Sequence, residues 1–195
     1  MDSPPSLLRR SLAVFALAAA LTLAVSLATQ ITDQIRNDAF FPEEYFSYFT
    51  IQTSIANMIA LGTAGLVNIT TAMDSTRLLL VRHWLMAYAV VTGSVYNLLL
   101  RDLPAEPGAF VSDIAFPNEV LHVIIPLYLV ADWLFGPHTA RLPWSGLGLG
   151  LIYPVAWLAV TLIRGDITGW YPYDFLDPAG PGGWATVVGH VVAIA

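Results

Sequence analysis

Five apolar runs joined by short polar segments decide what this chain can fold into. They are Leu12 to Ile31, about Tyr48 to Ile69, about His83 to Leu100, about Phe116 to Leu134 and about Trp144 to Ile163. A bilayer's hydrocarbon core is about 30 Å thick and takes about 20 helical residues to cross. Inside it no water is available to bond peptide groups, so each run must close its own hydrogen bonds as a helix. Composition agrees. The chain is 56% hydrophobic and 11% charged, where a soluble domain carries about 25% charged residues. A sixth run, Trp184 to Ala195, follows "GPGG". As a helix it rises only about 18 Å, so we expect a sixth span cut short where the sequence stops. The expected fold is all-α: a polytopic membrane bundle of six transmembrane helices, in one domain covering residues 1–195.

The first run follows Arg9 and Arg10 and superficially resembles a signal peptide. Its full-span length and the lack of an Ala-x-Ala-like site after it favour a first transmembrane helix.

All eight cations are arginines, and their placement predicts orientation. Arg9 and Arg10 precede helix one, Arg77 and Arg82 lie between helices two and three, and Arg141 between four and five. The alternate loops hold one arginine each (Arg36, Arg101 and Arg164) but nearly all the acids, from Asp33, Asp38, Glu43 and Glu44 to Asp102, Glu106, Asp113, Asp166, Asp174 and Asp177. Positive residues stay on the cytoplasmic side. The amino terminus is therefore expected inside, with the loops at Asp102 to Asp113 and Arg164 to Gly183 outside. The aromatic, Pro-rich stretches "AFFPEEYF" and "GWYPYDFLDPAGPGGW" suit the outer interface.

Several chemistries are excluded or unsupported. A net charge of −6 argues against a nucleic-acid partner. There is no Cys, hence no disulfide, thiolate metal site or Cys nucleophile. No HExxH and no His pair at i, i+4 suggest a metal, and no cofactor is expected. "GLGLGL" lacks a P-loop Lys and reads as a helix-packing face. No GxSxG elbow is present.

Polar residues inside the runs are what remains. In "YFSYFTIQTSIAN", Thr50, Ser54 and Asn57 fall on one helical face, with Thr53 beside them. Helix four brings Asn118, Glu119 and His122 to its outer end, and helix three ends with Thr92, Ser94, Tyr96 and Asn97. His190 reaches a similar depth if helix six spans. An ionisable group within a span is costly and by default a functional candidate. The competing structural readings are specific. Ser and Thr bond back to their own helix, Asn57 and Asn97 tie helices together, and Glu119 sits among headgroups. His83, Asp132 and His138 lie near the inner boundary and read as interfacial. A hydroxyl with an imidazole is the minimum for nucleophilic acyl chemistry, with Asn or backbone donors for the oxyanion.

"YFTIQTS", "NEVLHVIIPLYLVADWL" and "TGWYPYDFLDPAGPGG" together resemble the androgen-induced-gene family of multipass membrane proteins, which includes the androgen-dependent tissue-factor-pathway-inhibitor regulating protein and many bacterial members. The resemblance runs from helix one to the start of helix six. It implies six helices with both ends cytosolic, here in a bacterial plasma membrane. It also implies hydrolysis of fatty acid esters of hydroxy fatty acids, with the family's Thr nucleophile matching Thr50 and its His matching His122. Thr53 is the nearby competitor. Glu119 or an Asn would orient the imidazole, and Thr53, Ser54, Asn57, Tyr96, Asn97, Asn118 and Glu119 would line the substrate site. The expected partners are a lipid or acyl-ester substrate and the surrounding membrane lipids. Two other classes remain open at this point: a non-catalytic lipid-binding or partner protein, and a small transporter using Glu119 and His122 as a proton relay. The paired broken helices of a transporter are not evident.

Overall fold

The computed structural model describes residues 5–71, 75–101, 103, 110–136 and 142–194, the Leu147 side chain excepted. Asp102, Glu106, His138, Arg141 and Ala195 lie outside these residues. All regular structure among the described residues is helical. Five helices are long and apolar enough to cross a membrane: α1 (Leu7–Arg36), α2 (Phe49–Thr70), α3 (Thr76–Leu100), α4 (Phe116–Phe135) and α5 (Gly148–Thr168). A shorter apolar helix, α6 (Gly183–Ile194), follows. This is an all-α polytopic membrane bundle. Several helices outrun the apolar runs of the sequence. α1 begins at Leu7, where the Ser6 side chain accepts the Arg9 backbone N–H at 3.2 Å. Arg9, Asp33, Arg36, Arg77 and Arg82 are therefore helical rather than in loops.

Small residues set the closest pair. Ala13, Ala16, Ala20 and Leu23 of α1 are buried against α2, where Leu61, Ala64 and Gly65 are buried in turn. A Cβ on Gly65 would stand 2.6 Å from Leu17, so the helices approach as closely as small residues permit. The Arg9 Nε–H donates to the Thr71 carbonyl at 2.9 Å, which fixes α1 and α2 antiparallel and places a cation on the carbonyl end of α2. Arg82 at the start of α3 pairs with Asp132 near the end of α4, so these two are antiparallel as well. α1 and α3 each pack on both α2 and α4, which leaves α2 and α4 at opposite corners.

α5 joins through proline and glycine. Pro154 has no N–H to give the Gly150 carbonyl, and the Tyr88 hydroxyl of α3 donates there instead. One turn away the Trp84 indole donates to the Gly146 carbonyl at 2.8 Å. The "GLGLG" segment is thus a packing face. A Cβ on Gly150 would lie 2.6 Å from the Trp84 ring, while one on Gly148 would meet nothing within 4 Å. Gly150→Ala should therefore cost about 1–3 kcal/mol by overpacking, and Gly148→Ala almost nothing. Melting in detergent, followed by tryptophan emission, checks this. Equal losses for the two variants would refute the packing assignment.

α5 ends at Gly169, whose φ of 72° turns the chain back. The Tyr171 ring then covers Gly165, where a Cβ would lie only 2.0 Å from it. The turn carries the following aromatic loop onto the start of α2.

Candidate functional site

α2, α4 and α6 begin, and α1, α3 and α5 end, at the side of the bundle opposite the amino terminus. The candidate residues collect at this far end, in two groups.

The first group is built on α2. Tyr48 is its N-cap, and the first intrahelical bond runs from the Gln52 N–H to the Tyr48 carbonyl. Thr50 therefore sits in the first turn, where no helical carbonyl lies one turn below it. This sets its hydroxyl apart. Thr22, Thr29, Thr53, Thr63 and Thr92 all donate to carbonyls of their own helices at 2.8–3.0 Å. Thr50, buried to 8% exposure, has its Oγ1 3.5 Å from the Tyr173 hydroxyl instead. The Tyr173 oxygen also faces the Phe49 and Thr50 backbone N–H groups, and burial raises its phenol above the usual tyrosine range. Tyr173 thus caps the positive end of α2 as a neutral phenol. Trp157, Tyr48 and Phe175 surround its ring, and His190 lies 5.4 Å beyond Phe175. Ser54 is buried without a hydrogen bond among the described residues, and Asn57 donates to the Leu85 carbonyl at 3.3 Å. Asn57 therefore ties α2 to α3, the structural reading.

The second group joins α3 and α4. Each helix widens here into a π turn, Tyr96–Leu100 and Val120–Ile124, a feature frequent at functional sites. The His122 ring stacks on Tyr96 with centroids 4.0 Å apart. Its Nδ1–H donates to the Asn118 carbonyl at 3.0 Å, since a carbonyl only accepts. That fixes the tautomer and leaves the Nε2 lone pair available as a base. His83 and His190 bond back to their own helices in the same way, so the habit is local and general. Pro126 cannot bond the His122 carbonyl, and Asn97 donates to it at 3.1 Å. Asn97 therefore satisfies a carbonyl that proline leaves open.

Glu119 is not the orienting partner of His122. Both its oxygens accept from Arg101, at 2.7 and 3.1 Å, and Arg101 also bonds Asn97 and covers the Tyr96 ring. This ion pair is half-exposed at the helix ends. The orienting acceptor is the Asn118 backbone. The Asn118 side chain accepts from Gln30 at 3.3 Å, and Gln30 in turn accepts from Tyr45, a chain that ties α4 to α1.

The two groups share one end of the bundle, but Thr50 and His122 do not hydrogen-bond each other. Sequence alone does not single out Tyr173, Arg101 or Gln30. Gln30 has the usual signal, an amide near the end of an apolar run, while Tyr173 is one of many loop aromatics. Among the described residues no three His, Cys, Asp or Glu side chains gather as a metal site. Searches among known protein families, curated proteins and solved structures found no match to this chain.

Proposed function

We propose that this membrane protein is a lipid-ester hydrolase, with Thr50 as nucleophile and His122 as general base. One observation carries the reading: the buried Thr50 hydroxyl is released from its own helix in the first turn of α2, where the backbone N–H groups have no helical carbonyl to bond and face the Tyr173 oxygen instead. A nucleophile and oxyanion donors then come from the same turn. His122 Nε2 takes the Thr50 proton as Oγ1 bonds the ester carbonyl carbon. The N–H groups that now face Tyr173 hold the oxyanion. The ester C–O bond breaks, the leaving alkoxide takes the proton from His122, and water repeats the sequence to release the acid. Thr50 and His122 do not hydrogen-bond each other, so the reading requires that the two come together around bound substrate. Fatty acid esters of hydroxy fatty acids or related acyl esters are the proposed substrates.

The test is labelling of the wild-type protein by a fluorophosphonate probe, with the adduct located by peptide mass. An adduct on Thr50 is the expected result. No adduct and no turnover of long-chain acyl esters would favour the second reading, lipid binding without turnover. The lack of a Thr50–His122 hydrogen bond speaks for that reading.

From the arginine asymmetry we propose that the amino terminus is cytoplasmic and that the site lies in the outer leaflet of the plasma membrane. The chain has no Cys, so labelling of introduced cysteines reads cleanly. Asp113→Cys and Asp174→Cys should react with an impermeant maleimide added outside intact cells. Reaction only after lysis would invert the orientation.

A further inference from the structure

Arg164 and its surroundings belong to neither candidate group. Arg82 and Arg101 are each paired with a carboxylate. Arg164, in the last turns of α5, forms no ion pair among the described residues. Its guanidinium donates to the Ser47 hydroxyl and lies 4.6 Å from the Trp170 ring centroid. It borders a groove of about 50 Å³ lined chiefly by Ser47, Gln52, Trp157, Thr161 and Trp170. At about 10–15 Å³ for each water-sized group, that is room for a carboxylate or the free oxygens of a phosphate.

A second observation lies within the groove. Thr161 is buried to 6% exposure, yet its hydroxyl makes no hydrogen bond among the described residues. Most other helical threonines bond back to their helix. The remaining polar groups are already engaged: Gln52 bonds Phe46 and Tyr153, and the Trp157 indole bonds the Ser47 carbonyl. The groove therefore offers a cation with donors to spare and one unused hydroxyl. Neither suits a neutral apolar occupant.

The neighbouring surface says what carries the anion. Val160, which also lines the groove, is 65% exposed, and Ile163 and Ile167 beside it are exposed too. This is the lipid-facing side of α5, at its end, where tryptophans and snorkelling arginines meet headgroups. We propose that this groove binds the anionic oxygen group of a membrane lipid, phosphate or carboxylate, with the acyl chain lying along Val160 and Ile163. Arg164 supplies the planar fork that such groups accept, Thr161 gives a further donor, and Trp170 holds the guanidinium in place. The inference does not depend on turnover, and the Thr50→Ala variant should bind as the wild type does.

Trp157 and Trp170 line the groove, so quenching of tryptophan emission reports occupancy. The full chain is placed in phosphatidylcholine bilayers doped with brominated phosphatidylglycerol, brominated phosphatidylcholine or brominated stearate. The expected result is quenching by an anionic lipid beyond that by phosphatidylcholine, with about tenfold weaker affinity in Arg164→Gln. Excess quenching by phosphatidylglycerol identifies a phosphate ligand, and by stearate a carboxylate. Arg101→Gln is the control and should keep the excess. Thr161→Val is a milder second variant that should weaken binding if Arg164→Gln fails to fold. No excess by either anion, or an equal excess in folded Arg164→Gln, would overturn the proposal by showing annular contact only.

Discussion

Thr50→Ala and His122→Ala should each abolish fluorophosphonate labelling and ester turnover, with losses on the order of 10⁴-fold or more. The double variant should lose little beyond either single one, because a nucleophile without its base and a base without its nucleophile are equally idle. Thr53→Ala is the informative neighbour. Its hydroxyl donates to the Phe49 carbonyl at 2.8 Å and is not free to attack. Losing it should cost stability of about 1 kcal/mol and activity of only about tenfold through positioning. Tyr173→Phe probes the other side of Thr50. It removes the oxygen that faces the Phe49 and Thr50 N–H groups, so labelling should survive while the first turn of α2 loosens. Each variant is compared after monodisperse elution in detergent. Full activity in well-folded Thr50→Ala would remove the nucleophile assignment, and equal losses in Thr53→Ala would mean that the whole turn had been disturbed.

The fold was legible because hydrocarbon allows so few solutions. Twenty apolar residues in a row have to be a helix, and the five spans and the short α6 follow from run lengths alone. Their ends were less legible. Charged residues such as Arg9 and Arg77 continue a helix past the apolar core, and only capping by residues such as Ser6 shows where it begins. The candidate residues were legible as a group near one end of the bundle, but not their partnerships. Asn97 and Glu119 are polar residues in apolar runs and so look like site residues. Their partners explain them otherwise: the carbonyl opened by Pro126, and Arg101. The first could be foreseen, because a proline four residues after His122 leaves that carbonyl without its donor. The second could not, since Arg101 meets Glu119 only through the packing of two helix ends. Thr50 differs from Thr53 for a reason that sequence barely marks, its place in the first turn rather than the second.

Asp132→Ala should destabilise the bundle by about 3–5 kcal/mol. Sequence places Asp132 near the inner boundary, where a carboxylate is expected to meet water. The structure instead pairs it with Arg82 across α3 and α4, with side chains only 10% and 11% exposed. Leu79, His83, Met86, Leu129 and Trp133 surround the pair. The Arg82 Nε is buried without a partner, so its head already has less bonding than it could use. Removing the carboxylate leaves a cation that cannot deprotonate in an apolar wall, and the cost is that of the stranded charge rather than the worth of the contact. The sign of the double change follows. Arg82→Met with Asp132→Leu removes both charges and should be more stable than either single loss. Melting in one detergent at one pH measures all four proteins. If Asp132→Ala melts with the wild type, the pair is solvated and α3 and α4 are held instead by the small-residue approach at Gly93, the Asn97 bond, the Tyr96–His122 stack and the Arg101–Glu119 pair. If the double variant is the least stable, the charges contribute more together than hydrophobic side chains can replace.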